Sequence, residues 1–149
     1  MATIRLPPDF KEFLRLLNAH NVEYLLIGGY AVGYHGYPRA TVDMDIWIAI
    51  HPANAEKTVA ALKEFGFDPP DLSPQLFLQE WQIIRMGVPP VRIEIATTIS
   101  GVDFAECYAQ RVEDQLDGVQ VKLIDRDHLK RNKKASGRHQ DLADLEHLP

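Results

Sequence analysis

The sequence predicts an α/β fold, a mixed β-sheet with flanking helices, and three patterns carry that reading. Helix-period and strand-period segments alternate through the first half of the chain. Residues 24–50, YLLIGGYAVGYHGYPRATVDMDIWIAI, join one apolar run to a second that carries two acids, with glycines between. A Gly87-Val88-Pro89-Pro90 turn then separates two further apolar runs, and Asp117-Gly118 precedes a last one. No repeat, low-complexity segment or linker interrupts the 149 residues, so 1–149 reads as a single domain.

Each element follows from local chemistry. Phe10, Phe13, Leu14, Leu16 and Leu17 recur at helical spacing, which predicts a helix from about 9 to 20. Asp9 and Glu12 have the spacing of a capping box, and Asn21 is the expected stop. Residues 22–27 read as a strand and 30–36 as a short helix ended by Pro38. His35, at the end of that helix, reads as a packed or hydrogen-bonded side chain rather than a catalytic one. After the acid-bearing strand, His51-Pro52 breaks the run, and AEKTVAALKEF forms a helix stopped by Gly66. The Pro- and Asp-rich segment 67–74 is a loop. Residues 76–86 and 91–97 read as two strands of an antiparallel hairpin, and 104–110 as a helix. Residues 119–124 form the final strand. Asp125 or Asp127 can cap the next helix, which Gly137 ends. Leu142, Leu145 and Leu148 give a last helix an apolar stripe.

The acids carry the functional signal. Side chains alternate along a strand, so Asp43 and Asp45 share a face, with Thr41 in line. Val42, Met44, Ile46 and Ile48 point the other way. Paired carboxylates in an apolar strand repel unless a cation, a proton or solvent relieves them, and a divalent metal does so naturally. Gly28-Gly29 removes side chains where strand meets helix, leaving backbone N–H groups free to meet phosphate. Phosphate cradle and acid pair together indicate phosphoryl or nucleotidyl transfer. On the second hairpin strand Arg92, Glu94 and Ala96 share one face, and Glu94 is expected beside the Asp pair.

The ordered set of Gly28-Gly29, the Asp43-x-Asp45 strand, RIEIATTISGVDF from residue 92 and NKKASGRHQDLADLEHL at the C-terminus resembles the nucleotidyltransferase superfamily, the DNA polymerase β-like fold. Within it, the resemblance is to small, single-domain bacterial nucleotidyltransferase-like proteins. It implies that Asp43, Asp45 and Glu94 bind Mg²⁺ or Mn²⁺, with Glu94 also a candidate general base. The family's third acid is usually Asp, so Glu94 is a departure, one methylene longer. Ile95-Ala96 also replaces the Leu-Leu pair expected after it. Gly28 and Gly29 would hold the β- and γ-phosphates. Lys133 matches the family's Asn-Lys position as a phosphate-binding cation, with Arg39, Thr41 and Arg138 as further nucleotide-binding candidates; an Arg138–Asp141 pair fixing the last helix is the alternative for Arg138.

The implied reaction moves a nucleoside monophosphate, AMP from ATP, to a hydroxyl on a protein, a tRNA 3′ end or a small molecule such as an aminoglycoside. The alternative is a non-catalytic nucleotide-binding or toxin–antitoxin-type interaction module of the same fold, with a partner protein or a second copy completing it. Composition bounds both readings. With 46% hydrophobic and 25% charged residues the chain is an ordinary globular one. Its net charge of −5 argues against non-specific nucleic-acid binding, although Arg126, Lys130, Arg131, Lys133, Lys134 and Arg138 form a local basic patch. No apolar run is long enough to cross a bilayer, MATIRLPPDF lacks a secretory pattern, and the lone Cys107 reads as structural, so the expected location is the cytoplasm, away from membranes.

Overall fold

The computed structural model describes residues 4–149; the beginning of the N-terminal segment read above for a secretory pattern lies outside them. Helix α1, Pro8–Ala19, buries Phe10, Phe13, Leu14 and Leu17. The Asp9/Glu12 capping box does not form. Pro7 occupies the N-cap, where it has no side chain to accept a hydrogen bond, and Asp9 sits inside the first turn. The stop is as expected. Asn21 adopts φ 55°, its N–H donates to the Asn18 carbonyl, and the Val22 N–H donates to that of Leu17, closing the helix.

Strand β1, Tyr24–Ile27, is buried along its whole length and passes directly into α2, Gly28–Tyr34. Strand β2 is Asp43–Ile48. Helix α3, Pro52–Phe65, ends at Gly66, whose φ of 103° suits glycine alone. Residues 76–82 are not a strand. Pro74–Leu78 forms a 3₁₀ turn that drops Phe77 into the core, and Trp81 at φ 60° breaks the chain before β3, Ile83–Val88, begins. Strand β4, Val91–Ala96, completes the hairpin, and α4 is Phe104–Ala109. Strand β5, Val112–Leu116, was not expected. It pairs with β6, Val119–Leu123, across Asp117 (φ 50°) and Gly118 (φ 83°), the left-handed pair that a two-residue hairpin turn demands. Helix α5, Arg126–Ser136, is capped by the Asp125 side chain accepting from the His128 N–H and closed by Gly137; α6 is His139–His147.

The sheet order is β3-β4-β2-β1-β6-β5, with β2/β4 and β1/β6 parallel and the other neighbours antiparallel. One face packs Tyr24, Leu26, Met44, Ile46, Ile48, Ile93 and Ile95 against α1 and α3. The other packs Leu25, Ile27 and Trp47 against Cys107 of α4, Leu129 of α5 and Leu148. Burial pushes the Cys107 thiol up to about 12, with Asp125, Asp103 and Glu106 adding to the shift, in keeping with a structural residue. His35 is likewise structural, its Nε2 lying 2.7 Å from the Ile124 carbonyl.

Helix α6 departs from its expected packing. Of the expected stripe, Leu148 just past the helix end is buried, but Leu142 is exposed and Leu145 only half-buried, while Asp141 and Asp144 are the buried positions of the helix itself. Among the described residues no helix is long and apolar enough to cross a membrane.

Candidate functional site

The parallel register of β2 and β4 builds the site. Asp43 lies beside Arg92, Asp45 beside Glu94 and Trp47 beside Ala96, so all three acids rise from the sheet face that carries α4 and α5. Opposite Asp45 on its other side is Ile27, the last residue of β1, which brings Gly28 against the acid. A side chain at Gly28 would place its Cβ 2.2 Å from Asp45 Oδ2, and the backbone there has φ +67°. Only glycine fits both constraints.

These residues line a cleft of about 560 Å³, whose walls include Gly28, Asp43, Asp45, Glu94, Lys133 and Arg138. The expected Asp pair, third acid, first glycine and two cations therefore converge. Gly29, Arg39 and Thr41 do not join them. They line a separate pocket of about 190 Å³ beside Tyr30, where the Thr41 side chain would stand 2.6 Å from a Cβ at Gly29.

The acids are unequally compensated. Arg92 Nη2 donates to Asp43 Oδ2 at 2.6 Å and lies 3.5 Å from Glu94 Oε1, and Arg85 Nε donates to Glu94 Oε1 at 3.0 Å. The sequence reading noted Arg92 on this face without assigning it; its position two residues before Glu94 on the same face was the available signal. Asp43 Oδ1 and Arg92 Nε are buried without a hydrogen-bond partner. Asp45 makes no ion pair among the described residues. Burial first, then the charges of Glu94 and Asp43 and a hydrogen bond with Glu94, push its carboxyl up to about 7, while Lys133 pulls it down.

All of the candidate metal donors are carboxylate oxygens, the ligand type of hard divalent ions. Among the described residues no three His, Cys, Asp or Glu side chains are gathered into a ready-made metal cluster. The Arg92 guanidinium contacts both Asp43 and Glu94. The orphaned Asp43 Oδ1 and the unpaired Asp45 leave acceptor capacity for a cation, so this donor set fits such an ion.

The cationic wall is built differently. Lys133 is 5% exposed, and its Nζ lies 3.1 Å from both Asp141 Oδ1 and Asp144 Oδ2. Arg39 grips Asp144 with two N–H groups, at 2.7 and 2.9 Å. Arg138 Nε donates to Asp141 Oδ2 at 2.8 Å, the Arg138–Asp141 pair anticipated as an alternative. Burial raises the Asp141 carboxyl, but hydrogen bonds from Arg138 and Lys133 outweigh it and hold the group at about 2. For Asp144 burial is again overcome, here by hydrogen bonds from Arg39, Lys133 and Gln140, and the carboxyl is lowered.

Solved structures resemble this architecture over nearly its whole length. A protein of Thermotoga maritima, provisionally assigned as a nucleotidyltransferase, superposes with a TM-score of 0.64 at 12% identity, covering 96% of this chain and 94% of that one. An antigenic nucleotidyltransferase-like protein of Paracoccidioides brasiliensis matches with a TM-score of 0.55 at 20% identity, covering 93% of this chain and 73% of its own. The chain has a nucleotidyltransferase-like fold. That agrees with the mixed-sheet architecture and the resemblance seen in the sequence. No protein-family model and no curated protein sequence matches the chain.

Proposed function

We propose that the cleft is a Mg²⁺- or Mn²⁺-dependent nucleotidyl-transfer site that moves a nucleoside monophosphate, AMP from ATP, to a hydroxyl acceptor, breaking the α–β phosphoanhydride bond and releasing pyrophosphate. The observation that carries the reading is Asp45, a carboxyl raised to about 7 in register with Glu94 and one strand-repeat from Asp43, against a glycine that only its absence of a side chain allows. Asp43, Asp45 and Glu94 would hold the ion. When bound, a divalent ion neutralises charge on the triphosphate oxygens. Backbone N–H groups at Gly28 and Gly29 would meet the β- and γ-phosphates, and Lys133 with Arg138 would supply fixed positive charge at the opposite wall. Arg39 and Thr41 line the adjoining pocket with Gly29, and would contact the nucleotide only where it extends from the acid cleft into that pocket. Glu94 would orient the acceptor hydroxyl and take its proton. The acceptor is a protein side chain, a tRNA 3′ end or a small molecule, with a partner protein or second copy available to complete its site.

A second reading has its own observation. Arg92 on Asp43 and Arg85 on Glu94 already offset two of the three acids, as they would in a nucleotide-binding or toxin–antitoxin-type interaction module that carries the fold without the chemistry. Calorimetric titration of ATP with Mg²⁺ and again with EDTA, followed by a pyrophosphate-release assay on a panel of hydroxyl acceptors, separates the two. Metal-dependent binding with pyrophosphate release supports the transfer site; binding without release supports the nucleotide-binding module, and no binding in either condition supports the interaction module.

A further inference from the structure

Helix α6 buries the wrong residues for a helix whose only task is to pack. Its leucine at 142 is turned to solvent, and the positions pressed against the protein are Asp141 and Asp144, at 2% and 0% exposure. Burying a carboxylate costs several kcal/mol of hydration even when it is paired, and an apolar pair of like volume is often as stable or more so. Stability alone therefore gives no reason for this choice. The partners do. Every side-chain cation on these two carboxylates comes from a different segment beside the cleft: Lys133 from α5, Arg39 from the α2–β2 connection, Arg138 from the α5–α6 junction.

The consequence falls on Lys133. Its side chain is long and flexible, and fixing it otherwise costs rotamer entropy. Asp141 accepts a hydrogen bond from its Nζ at 3.1 Å and Asp144 Oδ2 pairs with it at the same distance, so two carboxylates share one ammonium that still has donor capacity. Lys133 and Arg138 both line the acid cleft. Arg39, held by Asp144, lines the neighbouring pocket with Gly29. One pair of buried carboxylates thus sets the placement of the cations on both sides of the Gly28-Gly29 turn.

We propose that Asp141 and Asp144 are positioning residues for nucleotide binding: they hold Lys133 and Arg138 in fixed places on the cleft wall, with Arg39 bracing Asp144 from the neighbouring pocket, so that an incoming triphosphate meets preorganised cations. The proposal rests on the nucleotidyl-transfer reading of the cleft and names the residues that would make its cationic wall rigid. Neither carboxylate touches the ligand itself.

The test is calorimetric titration of MgATP into folded variants of the full chain, each checked for a cooperative thermal transition. Asp144→Asn is expected to weaken MgATP binding at least tenfold, Lys133→Met by a similar factor, and the Asp144→Asn/Lys133→Met double variant no further than Lys133→Met alone. That non-additivity is a readout a merely structural role would not move. Should Asp144→Asn fail to fold, Asp144→Glu keeps the charge but shifts it by a methylene, and is expected to fold with MgATP binding weakened by a smaller factor. A folded Asp144→Asn or Asp144→Glu that binds MgATP like the wild type overturns the proposal, as does a double variant whose loss is the product of the single ones. A wild type that binds no MgATP at all is a different result: it removes the transfer reading, and this inference with it.

Discussion

Two groups of acids, one on the strands and one on α6, are treated in opposite ways by the same protein. Asp141 and Asp144 are almost wholly buried, yet each has more than one cationic partner and both carboxyls are lowered. Asp43, Asp45 and Glu94 are less deeply buried, but Asp43 keeps an orphaned oxygen and Asp45 is pushed up to about 7. The more deeply buried pair is the one whose carboxyls are lowered, so compensation, not depth, sets the direction. A carboxylate whose charge is fully answered by the protein is a building part. One left short of positive charge inside a cleft is available to a ligand.

The largest break in this contrast should come from Asp144→Asn. It leaves Arg39 facing a neutral amide and Lys133 with Asp141 as its one remaining carboxylate, and removing one partner of a buried ion pair costs about 3–5 kcal/mol, to be read as a lower urea midpoint at unchanged slope. Asp45→Asn should act in the opposite direction and with pH. Because the folded-state carboxyl titrates near 7 and the ordinary value is 3.8, the folded protein holds this proton more tightly. The stabilisation it gives is complete below about pH 4 and disappears as pH rises through 7. The amide never ionises, so the variant should gain on the order of 2–4 kcal/mol over the wild type by pH 8 and nothing at pH 4; equal curves at both would show Asp45 to be compensated.

Gly28→Ala sharpens the geometric side of the comparison. Its Cβ would meet Asp45 Oδ2 and its φ of +67° disfavours any side chain, so a loss of about 2 kcal/mol in thermal or chemical denaturation is expected. Smallest of all, Leu142→Ser should change stability by no more than about 0.5 kcal/mol, because the side chain is exposed while its aspartate neighbours are the packed face. A loss of 2 kcal/mol there would restore the leucine stripe as the packing surface of α6.

The acid strand was legible because a two-residue period has no competitor: Asp43 and Asp45 had to share a face, and Glu94 came beside them through the β2/β4 register. Most helices declared themselves by apolar spacing and by terminators such as Gly66 and Gly137. What stayed hidden has particular causes. Strand β5 reads VEDQL, an edge strand with three consecutive polar residues exposed, so it offers no alternation to detect. Residues 76–78 are apolar like a strand, yet Pro74 starts a 3₁₀ turn that uses Phe77 as a core plug. The inward face of α6 was misread because its buried residues are charged, and periodicity arguments assume that leucines go in. The guanidinium of Arg92 between two acids depends on cross-strand register, a long-range fact that the sequence alone carries only once the pairing is known.

The most direct test of the transfer site is calorimetric titration of ATP into the wild type and into Asp43→Ala/Asp45→Ala, each with Mg²⁺ and with EDTA. We expect binding in the wild type with Mg²⁺ only, and none in a double variant that still unfolds in one cooperative transition. Binding that survives EDTA or the loss of both aspartates would contradict a metal–nucleotide role for the strand acids.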